Sequence, residues 1–127
     1  MNRYEEGIEV LRLAETLIRS EGWCKDELVQ KNGSYCLIGA IAEATNMVGN
    51  LDRSVCYVAH GLSDDTSLAY KSARYSVPRC KSPHSGQLYK PGLVGWNDGF
   101  CTSERQARAL LRLARLHLRR EYRSAAP

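Results

Sequence analysis

The chain has 127 residues, of which 43% are hydrophobic and 25% charged, and its formal net charge is +4. This composition is typical of a globular domain, and no apolar run is long enough to cross a bilayer, which excludes a membrane-spanning protein. The chain begins without the apolar stretch of a secretory signal, and its five cysteines form no Cys-x-x-Cys pair. We therefore expect a cytoplasmic protein with reduced thiols.

The charges are divided unevenly along the chain. Residues 1–65 carry 6 basic and 11 acidic residues, whereas residues 66–92 carry 5 basic residues and no acid. Residues 103–127 carry 7 arginines against 2 glutamates. This asymmetry indicates either an acidic partner for the basic half or pairing between the two halves of the chain.

Two helices are predicted in the acidic half. Apolar residues at helical spacing predict the first helix over about residues 3–20, with Asn2 as its cap and Glu5 at the capping-box position. Gly22 ends this helix. The second helix is predicted from Tyr35 to about Ala44, and because it is almost uncharged we expect it at the centre of a bundle.

A third and a last helix are predicted in the remainder of the chain. The third covers Leu51 to Leu62, and the last begins after a cap at Thr102 or Ser103. Between them, residues 63–95 are basic, rich in serine and proline, and without periodicity, which predicts a long loop. The fold class expected for residues 1–127 is therefore mainly α: a small single-domain helical bundle of about four helices with a long irregular insertion.

The last helix carries five arginines at positions i, i+3, i+7, i+10 and i+14, which places them within about 80° of one another. Such a row of guanidinium groups suits phosphates or an acidic protein surface. The alternative is a solvated face, or one neutralised by the acidic first helix. The predicted partner-binding residues are these arginines and four basic residues of the insertion: Arg105, Arg108, Arg112, Arg115, Arg119, Lys71, Arg74, Arg79 and Lys81.

These features predict a non-enzymatic binding protein with a macromolecular partner, expected to be a protein, and they give no indication of a membrane, a cofactor or an oligomeric state. One alternative is a nucleic-acid-binding protein that uses the arginine-rich helix and the basic loop, whose tyrosines allow stacking on bases. The two functions differ in salt dependence, since phosphate binding weakens steeply as salt increases.

A second alternative is a cysteine-dependent enzyme. Cys36 lies at a predicted helix N-terminus, where the backbone dipole lowers a thiol pKa. In this hypothesis His60 or His84 is the base, and Asn97 or Asp98 orients it. The apolar neighbours of Cys36 favour a buried structural thiol instead.

A zinc site has weaker support in the sequence. Cys80 and His84 have usable spacing and Cys101 is a possible third ligand. A closed site needs four ligands, and no second close pair is present. No metal and no cofactor are therefore predicted.

Three short motifs resemble those of a known family. They are Gly22-Trp23-Cys24, the run from Tyr35 to Ala40, and Trp96-Asn97-Asp98 followed by Thr102. We expect the two tryptophans in or at the core, and the Asn-Asp-Gly sequence to form a turn. The motifs resemble a small uncharacterised family of actinobacterial and bacteriophage proteins. The resemblance implies a small α-helical protein of a phage or mobile element that modulates or inhibits a host macromolecule, for example a defence system, in the host cytoplasm, and it brings no catalytic residues.

Overall fold

A computed structural model describes residues 1–27, 29–48 and 67–125. These residues form the helices α1 (Arg3–Glu21), α2 (Leu37–Val48), α3 (Leu68–Tyr75), α4 (Leu93–Gly99) and α5 (Glu104–Ala125). A hairpin of two short antiparallel strands, β1 (Cys80–Lys81) and β2 (Leu88–Tyr89), lies between α3 and α4. The prediction of a mainly α-helical small single domain is confirmed. No helix in the described ranges is both long and apolar enough to cross a membrane.

Helices α1 and α5 form an antiparallel pair. Tyr4, near the start of α1, stacks on Tyr122, near the end of α5, with ring centroids 5.4 Å apart. Glu15, in the second half of α1, reaches Arg112 in the first half of α5. The pair places the acidic helix directly beside the arginine-rich one, so carboxylates of α1 lie close to guanidinium groups of α5.

The core lies where α1 packs against α2 and α5. Gly7 allows close contact between α1 and α5, because a Cβ there would lie 2.8 Å from Leu118 Cδ2. Helix α2 is buried over most of its length, as its uncharged sequence predicts. The largest fully buried apolar side chains come from these three helices and α4: Leu11, Ile18, Leu37, Ile41, Leu93, Leu111 and Leu118.

The predicted helix caps are present. The side chain of Asn2 accepts a hydrogen bond from the Glu5 backbone N–H at 2.9 Å. At the start of α5, Ser103 Oγ accepts from the Gln106 N–H at 3.2 Å, and Gln106 Oε1 accepts from the Thr102 N–H at 2.8 Å. Side-chain oxygens thus satisfy backbone donors that have no partner within the helix.

The prediction that the whole segment 63–95 is irregular is wrong for residues 67–95, which contain α3, the hairpin and the start of α4. Helix α3 packs through small residues, and Ser72 Oγ donates to the Ala114 carbonyl of α5 at 2.6 Å. Alanine and serine give little hydrophobic periodicity, which is why the sequence pattern missed this helix. The helix predicted over 51–62 lies outside the described residues.

The Trp96-Asn97-Asp98-Gly99 sequence is the last turn of α4 and not the isolated turn predicted from its composition. Three glycines in and before this helix lower its intrinsic propensity. Burial of Leu93 and Trp96 (1% and 7% exposed) stabilises it through tertiary packing. The other tryptophan, Trp23, is partly buried against the same core.

Candidate functional site

The three sequence motifs meet at the side chain of Asn97, which is 1% exposed. Its Oδ1 accepts hydrogen bonds from Trp23 Nε1 at 2.8 Å and from the Leu37 backbone N–H at 3.1 Å. Its Nδ2 donates to the Cys24 carbonyl at 3.1 Å and to Asp98 Oδ1 at 2.8 Å. All four hydrogen-bonding positions of the amide are used, so Asn97 is a structural connection and has no capacity left for a ligand.

Backbone bonds reinforce this connection. The Cys24 N–H donates to the Tyr35 carbonyl at 3.0 Å, and the Tyr35 N–H donates to the Gly22 carbonyl at 2.9 Å. The first two motifs are therefore paired directly, and Asn97 attaches α4 to both. Sequence reasoning identified these motifs, but it assigned Asn97 to a local turn and missed the hydrogen bonds between motifs.

Cys36 is the N-cap of α2, as its predicted position at a helix N-terminus requires. Its Sγ accepts a hydrogen bond from the Gly39 N–H at 3.3 Å. Burial raises the pKa of the Cys36 thiol, and the N–H groups of Gly39 and Ile38 offset this rise only in part. The side chain is 7% exposed. At neutral pH this thiol stays protonated and is a poor nucleophile.

Of the proposed partners of a catalytic Cys36, Asn97 and Asp98 lie beside it, but no histidine of the described residues lines the same cleft. A small cleft of about 110 Å³ lies at this thiol, lined also by Asp26, Glu27 and Asp98, and none of its described lining residues is a histidine. The Asp98 carboxylate accepts from the Asp26 N–H at 2.9 Å and from Asn97. His60 lies outside the described residues.

The zinc hypothesis gains no support from the described residues. No group of three or more His, Cys, Asp or Glu side chains within them lies close enough to hold a metal ion. Cys80 is on β1, His84 is exposed in the hairpin turn, and Cys101 is buried before α5.

A serine–histidine pair lies at the contact of α3 with α5, and its serine is buried. Ser76 Oγ donates its hydrogen to the Ser72 carbonyl at 2.8 Å, while His117 Nδ1 lies 2.9 Å from the same oxygen. The hydroxyl has one hydrogen, so when it is donated to the Ser72 carbonyl the imidazole is the donor in the second bond. The pair connects the two helices.

The five predicted arginines of α5 divide into two groups. Arg108, Arg112 and Arg115 converge on Glu15, with N–O distances of 3.7, 2.6 and 3.9 Å. Glu15 is 7% exposed and lies on α1. The acidic first helix therefore pairs with the middle of the stripe, one of the alternatives left open by the sequence.

The other two arginines, Arg105 and Arg119, are exposed and make no ion pair with a described residue. They lie at the two ends of the stripe, about 20 Å apart along a helix that rises 1.5 Å per residue. Arg79, Lys71 and Lys81 of the insertion are exposed as well. Exposed basic residues therefore remain in addition to the arginines that are paired with Glu15.

The four predicted insertion residues are divided between two parts of the insertion. Lys71 and Arg74 lie on α3, and Arg74 makes an interaction within the protein. Arg79 and Lys81 lie at and beside β1. Lys90, which is not among the predicted binding residues, donates from Nζ to the Tyr75 carbonyl at 2.6 Å and so caps α3.

Between the hairpin and α5 lies an apolar cleft of about 650 Å³ that sequence reasoning missed. It is lined by the end of α3, β1, α4 and the first half of α5, including Cys80, Phe100, Leu110 and Leu113. Among its described lining residues, Lys81 is the only charged one. The volume is within the range of ligand-binding clefts, which are mostly apolar with few polar groups.

A second apolar row on α5 was the available sequence signal for this cleft. Ala109, Leu113 and Leu116 follow at i, i+4 and i+7, beside the row that forms the core. Leu113 and Leu116 are 41% and 43% exposed. The helix therefore has three faces: one in the core, one with arginines and one with exposed apolar residues beside the cleft.

Comparison with known proteins places these features in a family. A family of unknown function, DUF6197, matches residues 3–117. The matched range includes Asn97 and every motif residue that it connects. The chain has no match among curated proteins or among solved structures. Since the match covers most of its length, the chain belongs to the DUF6197 family of unknown function.

Proposed function

We propose that this protein is a non-enzymatic binding protein whose partner is an acidic protein in the cytoplasm. The observation that carries the proposal is the apolar cleft of about 650 Å³, which lies on the basic half of the molecule and has Lys81 as its only charged described lining residue. An apolar floor beside exposed cations suits a protein surface that has both apolar and acidic side chains.

The pairing of arginines with Glu15 supports this proposal over one based on charge alone. Arg108 and Arg115 are each 22% exposed at the side chain and lie against Glu15, so they serve the α1–α5 contact. The free positive charge comes from scattered residues such as Arg105, Arg119 and Lys81, and not from a continuous track. Such rim charges favour association and partner selection, while apolar burial supplies most of the affinity.

The resemblance to actinobacterial and bacteriophage proteins extends the proposal to biological context. In that context the gene belongs to a phage or mobile element, and the partner is a host macromolecule whose action the protein modulates or inhibits. A component of a host defence system is one example. A small protein without its own reaction acts in this setting by occupying a surface that its partner needs.

The test is an affinity pull-down from the natural host, with and without nuclease. We expect a protein that remains bound after nuclease treatment. The double variant R105E/R119E is expected to reduce its retention about tenfold, which corresponds to about 1.4 kcal/mol. The matched control R3E/R19E reverses two exposed charges on α1 and is expected to have no effect.

Arg112 and Arg115 are unsuitable for this test, because charge reversal there would place new carboxylates against the buried Glu15. Retention that disappears with nuclease would favour nucleic acid as the partner. Equal retention by R105E/R119E and the wild type would exclude the ends of the stripe as contacts.

A second candidate function, nucleic-acid binding, is favoured by one observation at the C-terminal end of α3. Tyr75 is 66% exposed, and Lys90 Nζ lies 5.3 Å from its ring centroid. Exposed aromatic rings beside cations are typical of single-stranded nucleic-acid sites. This function predicts that binding of a labelled oligothymidylate weakens steeply with salt and is reduced by Tyr75→Ala.

A further inference from the structure

We infer that the cleft between the hairpin and α5 is the docking groove for an amphipathic, acidic helix of the partner protein. The inference rests on the proposed function and adds to it the shape and chemistry of the segment that is bound. Three features of the described residues support it: an apolar floor, a straight apolar edge along α5, and exposed cations near both, with no carboxylate among the described residues that line the cleft.

The floor of the groove consists of large apolar side chains from different elements. Trp96 and Phe100 come from α4 and its end, and Leu110 and Leu113 come from α5. Phe100 is held by an edge contact with Tyr89 of the hairpin, with ring centroids 6.0 Å apart. Aromatic and leucine side chains held on a rigid helical scaffold form the kind of surface that takes apolar anchor residues.

The length of the apolar edge fits a helix. Ala109, Leu113 and Leu116 lie within about 60° of one another on α5 and extend over about 10 Å, which is two helical turns. A helix lying along this edge presents side chains at i, i+3 or i+4, and i+7 to it. The exposed leucines extend the apolar surface beyond the cleft, so a short compact ligand leaves part of it uncovered.

The charges around the groove require acidic flanks on the helix. Lys81 is on one side, and Arg105 and Arg120 lie near the two ends of the apolar edge, all three exposed. No carboxylate is among the described residues that line the cleft. Glutamate or aspartate beside the apolar row of a partner helix would therefore meet Lys81 on one side and an arginine near each end of the edge.

The same charges disfavour a second copy of this chain as the occupant. In a two-fold symmetric dimer the same patch meets itself. The patch of one protomer, with Lys81, Arg105 and Arg120, would then face the same cations of the other protomer without a carboxylate from the described lining residues. An acidic partner relieves this repulsion.

The experiment measures binding of fluorescein-labelled designed peptides of about 18 residues, roughly five helical turns, by anisotropy with the full chain. The first peptide has leucines along one face and glutamates on both flanks. The second has the same composition with leucines distributed around the helix, and the third has lysine in place of glutamate. We expect the first peptide to bind at least about tenfold more tightly than the other two.

Variants locate the binding site. Leu113→Glu is expected to weaken binding of the acidic amphipathic peptide about tenfold, and Leu116→Ser is a milder second variant on the same edge. Val94→Glu is the matched control, because Val94 is 53% exposed on α4 and does not line this cleft. Circular dichroism and urea unfolding show whether each variant keeps its fold.

Several results would overturn the inference. Equal binding of the first two peptides would show that no helical apolar face is recognised. Saturable binding of decanoate without binding of the peptide would assign the cleft to a small amphiphile. A dimer that sedimentation detects and Leu113→Glu dissociates would assign it to a second copy.

The pull-down separates failure of this inference from failure of the proposed function. Retention of an acidic, nuclease-resistant partner by folded Leu113→Glu would refute the groove and leave the proposed function in place. Recovery of nucleic acid alone, together with tight and selective peptide binding, would refute the function and keep the groove.

Discussion

Replacing Asn97 with alanine is expected to lower the free energy of unfolding by about 3 kcal/mol. Three groups lose their partner: the Leu37 N–H, the Cys24 carbonyl and the Trp23 indole N–H. A buried polar group left without a hydrogen bond costs about 1–3 kcal/mol, and three groups at the lower end of that range give the expected value. The lower end applies because the adjoining cleft at Cys36 admits water to part of the vacated space.

The assay is urea unfolding followed by circular dichroism, with stability compared at an unchanged dependence on denaturant. Asn32→Ala is the matched control, because Asn32 is exposed and, among the described residues, its side chain bonds only to Ser34 in its own turn. Trp23→Phe removes one of the hydrogen bonds to Asn97 and is expected to cost about 1 kcal/mol. A loss for Asn97→Ala no larger than that for Asn32→Ala would refute the argument that this amide connects the three motifs.

Three further predictions concern the packing and the thiols. Gly7→Ala is expected to destabilise the protein by about 1 kcal/mol in urea unfolding, because the new Cβ would lie 2.8 Å from Leu118 Cδ2. In the control Gly95→Ala the new Cβ has an ordinary contact of 3.7 Å with Pro91 Cβ, so this variant is expected to be neutral or stabilising. Glu15→Gln leaves three arginines without their shared carboxylate, so we expect the free energy of unfolding to fall by about 2 kcal/mol in the same assay. An unchanged free energy of unfolding would show that these ion pairs do not stabilise the fold. In timed alkylation mapped by mass spectrometry, Cys80 is expected to react before the buried cysteines of the described residues. Because burial raises the pKa of the Cys80 thiol, the rate of its alkylation is expected to increase with pH. Earlier labelling of a buried thiol would contradict the structure.

The parts of the fold that the sequence predicted are those with strong local signals. Asn2 and Ser103 cap the first and last helices, and long apolar rows define both. Helices α3 and α4 have weak local signals, because α3 packs through alanine and serine and glycines precede and interrupt α4. Tertiary contacts decide these elements, and a single sequence does not display them.

The candidate site shows the same limit. The arginine row was visible as a helical pattern, but its neutralisation by Glu15 depends on how α1 lies against α5. Residue spacing alone does not show whether the arginines are solvated or paired with the acidic first helix. The cleft was harder still to predict, because its lining residues come from four elements separated in the sequence. The local sequence signal for the cleft was the pair of exposed leucines on α5, Leu113 and Leu116.

The hydrogen bonds of Asn97 and the lining of the cleft involve largely different residues. The side chain of Asn97 and the polar groups of the other two motifs hydrogen-bond to one another, so these groups stabilise the scaffold. The cleft is lined mainly by the hairpin and α5, and of the motif residues only Trp96 reaches it. Substitutions such as Leu113→Glu change a half-exposed side chain and leave the Asn97 connection intact. A scaffold built in this way allows the residues that line the cleft to change without loss of the fold.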